Sequence, residues 1–353
     1  MVRRCWRGDP RERVGLTRLE WVVVAVVILA ACILWLPYFL SSVDGPARFN
    51  GCANNLSSFG KAIAVYQTTS GAWPVVSTEP VDTIPGNPEK VAGYSWIVGL
   101  LPNLDENNLY MRIETKSDRF KRVAFDPALV DDEGKHFSQT TLKVLQCPVS
   151  GTTGSQAPEY RAMAQKLADK NARELPVAVT NFVAISATQL SLVMDDTTSG
   201  PDGVIYFSKR GITKINDGET NTIVLTETCE PNYAAWFDGT TAWVVAHDPN
   251  STPPVQRNGR WECDEATGCR TSLTSSTEAL ANDDETTFYR RNWAGKEPWR
   301  YGPSSQHNGG LVNHLFGDKR VVTIRATGPT RIDASVYLAL VTRDGGEKDR
   351  VPE

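Results

Sequence analysis

Charge is absent from one long stretch near the start of the chain. Val22 to Leu36 contains no charged residue, and Leu40 closes the apolar run. At ~1.5 Å rise per residue, a helix of this length nearly spans a hydrocarbon core of ~30 Å. A second pattern follows. Phe49, Cys52, Leu56, Phe59, Ile63 and Tyr66 recur at steps of three and four, with Asn50, Asn54, Ser57 and Lys61 on the opposite side. That spacing predicts one apolar face of an amphipathic helix. Gly45-Pro46 separates the two patterns, so the helix either kinks there or stops and restarts. Gly71 and Trp73-Pro74 end the second pattern.

Beyond residue 74, short apolar runs alternate with turn residues. TLKVLQCP (141–148), NFVAIS (181–186), GVIYFS (203–208) and NTIVLTE (221–227) are predicted strands. TAWVVAH (241–247), LVNHLFG (311–317) and KRVVTIR (319–325) extend the series. YSWIVGLLP (94–102) fits a strand or a short helix, and NLDENNLY (103–110) a helical turn. The charged residues 112–136 and a predicted exposed helix at 158–175 read as insertions. Residues 249–285, rich in Pro, Asn, Thr and Ser, read as a long loop.

The expected fold is therefore α+β. A long N-terminal helix, membrane-spanning in its first half, packs on an antiparallel β-rich domain with helical insertions. The expected divisions are a basic leader (1–15), a transmembrane helix (16–40), an amphipathic continuation helix (41–70) and a β-rich extracytoplasmic domain (71–353).

Composition adds direction. The 353 residues are 41% hydrophobic with a net charge of -4, which fits a globular body and gives no basic excess for nucleic acid. Arg3, Arg4, Arg7, Arg11 and Arg13 precede the apolar run, whereas Asp44 and Arg48 follow it. The positive-inside rule puts the N-terminus in the cytoplasm and the body outside, as a single-pass protein of the cytoplasmic membrane.

The residues before the run change the picture. No small-residue cleavage site follows it; Trp35-Leu36-Pro37-Tyr38 stands there, so a cleaved secretory signal does not fit. An uncleaved anchor is the plain alternative. Glu20 at the mouth of the run needs a partner, because a carboxylate at a membrane boundary is costly alone. A free α-amino group on a neighbouring subunit, made by cutting after Gly15, would supply one.

Basic residues, Gly15, the Thr17-Arg18-Leu19-Glu20 segment and an apolar helix resemble the type IV pilin and pseudopilin leader. The resemblance implies cleavage by a prepilin peptidase between Gly15 and Leu16 and methylation of the new terminus. It also implies that Glu20, then the fifth residue, registers like subunits during assembly. Leu16 stands where Phe is commoner in that family, and Arg18 adds a charge inside the segment.

The remainder resembles a bacterial family known as domain of unknown function 1559. The resemblance lies in RFNGCANNLSSFGKAIAVYQ (48–67), YSWIVGLLPNLDENNLY (94–110), VLQCP (144–148) and TNFVAI (180–185). It continues in INDGETNTIVLTE (215–227), SSQHNGGLVNHLFGDKRVVTI (304–324) and RIDASVYLALVTRDGGE (331–347). Gly317-Asp318 stands where the family has Asp-Gly.

Seven cysteines are present. Cys52 on the helix and Cys147 at a strand end are either a disulfide or two buried thiols. Cys263 and Cys269 are close enough to bridge within their loop, which leaves Cys229 over. His307, His314 and Asp318 are the candidate metal ligands, but strand spacing sets the two rings on opposite faces and no tight ligand cluster appears, so no metal and no cofactor are expected. No G-x-S-x-G, P-loop or H-E-x-x-H motif occurs, and no enzyme is expected. Trp236, Trp243, Trp261, Trp293 and Trp299 either line a glycan site or pack a core. The expected function is a non-enzymatic pilin- or pseudopilin-like subunit held in the membrane and drawn into a pseudopilus or surface filament. The alternative is a permanently anchored binding module for a glycan or peptide.

Overall fold

The computed structural model describes residues 18–78, 93–149, 177–194, 200–229, 234–239, 241–249, 251–264, 266–275 and 302–347; the side chains of residues 20, 30–47, 194 and 275 are not described. Gly15, Leu16, the expected helix at 158–175, Trp293 and Trp299 lie outside these residues. The chain forms two compact units, Met1–Ala47 and Arg48–Glu353. Helix α1, Arg18–Ser70, has residues in both.

In the first unit, the described apolar side chains of α1 are Leu19 and those from Trp21 to Leu29, all of them exposed. Among the described residues, no helix is long and apolar enough to cross a membrane. This corrects both the expected membrane-spanning first half and the single-pass localisation in the cytoplasmic membrane that rested on it.

In the second unit, the α1 residues from Arg48 onward bury Cys52, Leu56, Phe59, Ala62 and Ile63 at helical spacing. Phe59 lies against Trp96 and Phe182, with ring centroids 5.4 and 5.7 Å away. Gly60 lets the helix approach the sheet closely; a Cβ there would come within 3.1 Å of the Leu315 side chain. Gly71 ends the helix at φ 71°, its N–H donating to the Gln67 carbonyl at 2.9 Å.

The central sheet has five strands: β1 (Phe182–Ala187), β2 (Ile223–Glu227), β3 (Trp243–Val245), β8 (Leu311–Phe316) and β9 (Val321–Arg325), in the order β3-β1-β2-β8-β9. Among the described residues, two short pairs accompany it: β4 (Val255–Arg257) with β5 (Arg260–Glu262), and β6 (Thr274–Ser275) with β7 (Ser304–Ser305). β1–β2, β2–β8 and β8–β9 are antiparallel, but β1–β3 is parallel. The sheet is mixed, which corrects the expected antiparallel domain. β3 returns on the far side of β1 from β2 and so runs alongside β1 in the same direction. β1, β2 and β3 are buried at every position, so they lack the apolar–polar alternation that marks an antiparallel strand with one solvated face.

Two predicted strands take other forms. Lys143–Leu145 is a 3-10 turn. Its neighbourhood is held by Asn181, whose N–H donates to the Leu145 carbonyl at 2.8 Å and whose Oδ1 accepts from the Cys147 N–H at 2.9 Å. A side chain thus takes the place of a ladder. Residues 203–208 also form no strand, because their carbonyls are shared out: Tyr206 accepts from the Val76 N–H and Ile205 from the Ser186 hydroxyl.

Short helices close the body. α2 (Trp96–Leu100) starts at Ser95, whose hydroxyl accepts from the Ile97 N–H. α3 (Asn107–Lys116) buries Leu109 and Ile113, and α4 is the single turn Ser191–Met194. α5 (Ala334–Ala339) is capped by Asp333, which accepts from the Ser335 and Val336 N–H groups. The β8–β9 hairpin turns at Gly317-Asp318, yet the left-handed residue is Lys319, at φ 74°. Gly317 serves close approach: a Cβ there would sit 2.9 Å from the Glu219 backbone.

Candidate functional site

Four segments far apart in sequence meet beneath the first turns of α1 in the second unit. Cys52 of α1 and Cys147 form a disulfide with a sequence separation of 95. Beside it lies Glu227, the last residue of β2, and His307, in the turn between β7 and β8. Their side chains are each 2% exposed.

The Glu227 carboxylate is an acceptor surrounded by donors. Oε2 accepts the Asn313 N–H at 2.9 Å, and Oε1 accepts the Asn313 amide nitrogen at 3.0 Å. Nε2 of His307 lies 3.1 Å from Oε1, so that nitrogen carries the proton it donates. Thr323 in turn holds the Asn313 side-chain oxygen at 2.6 Å. Burial of a carboxylate requires such complete pairing. The same His307 nitrogen lies 3.9 Å from Cys147 Sγ, and the Phe49 ring stands edge-on to the imidazole at 4.8 Å.

The bridge is braced by its neighbours. Asn55 donates its amide to the Gln146 carbonyl at 2.8 Å, one helical turn after Cys52. Asn181 ties Cys147 to the end of β2, accepting the Cys147 N–H and donating to the Thr228 carbonyl at 3.0 Å. Cys229 is a buried thiol whose N–H and sulfur both contact the Ser304 hydroxyl.

One potential ligand atom from each of Cys52, Cys147, Glu227 and His307 lies within 4.8 Å of the other three. Two sulfurs, an imidazole nitrogen and a carboxylate oxygen form a zinc-type donor set, although the sulfurs are joined here. The geometry is closed to a substrate, because every member is buried.

The other candidates are spread out. Cys263 and Cys269 form the second disulfide, with a separation of 6. His314 does not join His307: its Nε2 meets the Tyr337 hydroxyl at 2.9 Å, and complete burial lowers its pKa to about 3. Asp318 pairs with Arg320 in the hairpin at 3.1 Å. Glu20 lies in α1, with its side chain not described. Trp236, Trp243 and Trp261 are buried, so none of them offers an open face to a sugar.

The sequence singles out the cysteines and His307 but neither Glu227 nor Asn313. The signal for Glu227 is a charged residue closing the otherwise apolar strand IVLTE, a position that demands a buried partner.

A polar cleft of about 730 Å³ lies elsewhere, beside the second disulfide. Asp248, Asp264, Arg270, Arg331 and Asp333 line it, and Arg270 pairs with Asp248 at 3.2 Å. Among the described residues, no aromatic ring lines it.

A family model, Protein of unknown function (DUF1559), matches residues 46–327. The chain belongs to this family. All four members of the buried group fall within the family segment, as does the whole five-stranded sheet. No curated protein and no solved structure matches the chain.

Proposed function

We propose that this family member is a pilin- or pseudopilin-like, non-enzymatic subunit that assembles with copies of itself through α1. A prepilin peptidase cuts between Gly15 and Leu16, and Glu20 pairs with the new α-amino group of a neighbouring subunit. The observation that supports this reading is the exposed apolar surface of α1. Leu19, Trp21 to Val24 and Val26 to Leu29 are 40–76% exposed, and they fall on every side of the helix. A helix that is apolar all round is stable only when buried. Copies of the same helix bury it, and one carboxylate near the start sets their axial register.

Two measurements test the reading. Intact-mass analysis of the assembled protein is expected to show loss of residues 1–15 and one added methyl group. Glu20→Ala is expected to abolish assembly while leaving the circular dichroism of the body unchanged. A chain that still starts at Met1, or an undiminished yield of assemblies from Glu20→Ala, overturns it.

A second reading, a ligand-binding module, draws on the polar cleft, whose mixed Asp and Arg lining suits a charged peptide better than a sugar. Arg331→Glu is the discriminating variant. Loss of peptide binding with assembly intact favours the cleft as the working surface.

A further inference from the structure

We propose that the Cys52–Cys147 pocket is a redox-gated zinc site, holding either the disulfide or one Zn²⁺ coordinated by Cys52, Cys147, His307 and Glu227. This goes beyond the assembly reading and does not depend on it. A structural disulfide needs neither a carboxylate nor an imidazole beside it. Here both lie beside the bridge, brought there from different segments, and one atom from each of the four residues falls within 4.8 Å of the rest. His307 Nε2 is 3.1 Å from the Glu227 oxygen and 3.9 Å from Cys147 Sγ, spacings close to the edges of a tetrahedral zinc shell. The surroundings also match those of a structural metal site. Every donor is buried, and Asn313 fixes the carboxylate through two N–H groups, as outer partners of metal ligands do.

A dithiol reductant gives two electrons and two protons to the bridge; the S–S bond breaks, two thiols form, and the reductant becomes a disulfide. Zn²⁺ then displaces the two thiol protons to solvent. The His307 proton moves from Nε2 to Nδ1, which frees the Nε2 lone pair for the metal. The Glu227 oxygen that accepted the imidazole N–H takes the fourth position. Two thiolates and a carboxylate leave the filled site with one net negative charge, offset in part by the Asn313 donors. Reoxidation reverses the sequence and expels the ion.

The test uses the full chain. Protein reduced with a phosphine under anaerobic conditions is dialysed against Zn²⁺, and bound metal is measured. One equivalent is expected in the reduced protein and at least tenfold less in the oxidised protein. Co²⁺ in place of Zn²⁺ is expected to give a thiolate-to-cobalt charge-transfer band and tetrahedral d–d bands. His307→Ala and Glu227→Gln are each expected to weaken metal binding at least about tenfold. Cys263→Ser/Cys269→Ser is expected to keep the full equivalent. Should reduction unfold the chain, added Zn²⁺ is expected to restore the far-ultraviolet circular dichroism of the oxidised protein. The proposal is overturned if the reduced chain, folded or unfolded, takes no more zinc than Cys52→Ser/Cys147→Ser. It is equally overturned if both His307→Ala and Glu227→Gln bind zinc like the parent, since the thiols alone would then account for the metal.

Discussion

The two disulfides make a controlled pair within one protein. Cys52–Cys147 closes a loop of 95 residues and sits among buried groups on the sheet side of α1. Cys263–Cys269 spans 6 residues and sits beside the polar cleft, under the N-terminus of α5, where Ser335 bonds the Cys263 backbone. Loop-closure entropy grows with the logarithm of loop length, so on that model the first bridge contributes about 4–5 kcal/mol and the second about 2 kcal/mol. The difference teaches where the fold depends on covalent help. The long bridge joins a helix to segments far along the chain; the short one fixes only a local loop that already has its own hydrogen bonds, among them the Cys269 N–H to the Asp264 carbonyl.

The largest effect is expected from removing the long bridge. Cys52→Ala/Cys147→Ala is expected to lower the unfolding free energy by about 4–5 kcal/mol in a urea titration. A loss no larger than that of the short bridge would break the comparison. The next effect probes whether the long bridge acts alone. Glu227→Ala strands the Asn313 donors and the His307 N–H in a buried site and is expected to cost about 3 kcal/mol. Combined with loss of the bridge, the two changes are expected to depart from additivity by more than about 0.5 kcal/mol, because they share one cluster.

Acid sharpens the contrast from a third position. His314 is fully buried in β8 against Tyr337, and its pKa is lowered to about 3. Above the unfolded-state value of about 6.5 the imidazole is neutral in both states, and this contribution to stability is fully present. As pH falls from about 6.5 toward 3, the unfolded state takes up a proton that the folded state refuses. Stability is then lost at about 1.4 kcal/mol per pH unit, or roughly 2–3 kcal/mol by pH 4.5. His314→Gln is expected to flatten this slope whether or not either bridge is present. A slope that persisted in His314→Gln would assign acid sensitivity to another group, His136 first, whose burial lowers its pKa to about 4. The smallest effect is expected from Cys263→Ala/Cys269→Ala, about 2 kcal/mol by thermal or urea unfolding.

The sequence displays some of this arrangement and conceals the rest for identifiable reasons. The second half of α1 is visible because Cys52, Leu56, Phe59 and Ile63 keep a strict helical period, and packing against a sheet leaves that period intact. β8 and β9 are visible because one short turn joins two apolar runs. The parallel partner of β1 is hidden: WVV in β3 is buried at all three positions, and nothing in such a run records strand direction. The turn at Lys143–Leu145 is hidden for another reason. VLQCP has strand composition, but Asn181, 34 residues beyond Cys147, supplies the hydrogen bond that decides its shape. The buried group is hidden for the same cause. Glu227 and His307 are 80 residues apart, and only the β2–β8 pairing brings Asn313 between their segments. The apolar run at the start of α1 is the most conspicuous pattern in the sequence, yet among the described residues no helix is long and apolar enough to cross a membrane. Length and hydropathy alone do not say whether lipid or protein buries such a helix.

The position of Cys52 also has a mechanical consequence. It lies only a few residues into the second unit, ahead of Leu56, Phe59 and Ile63. A tensile load entering α1 from its N-terminal side therefore meets a covalent link before it reaches the noncovalent contacts of the helix with the sheet. Those contacts alone would yield in shear, with the helix sliding along its axis. With the bridge closed, the load passes to Cys147 and, through the Asn181 contacts, into the middle of the sheet.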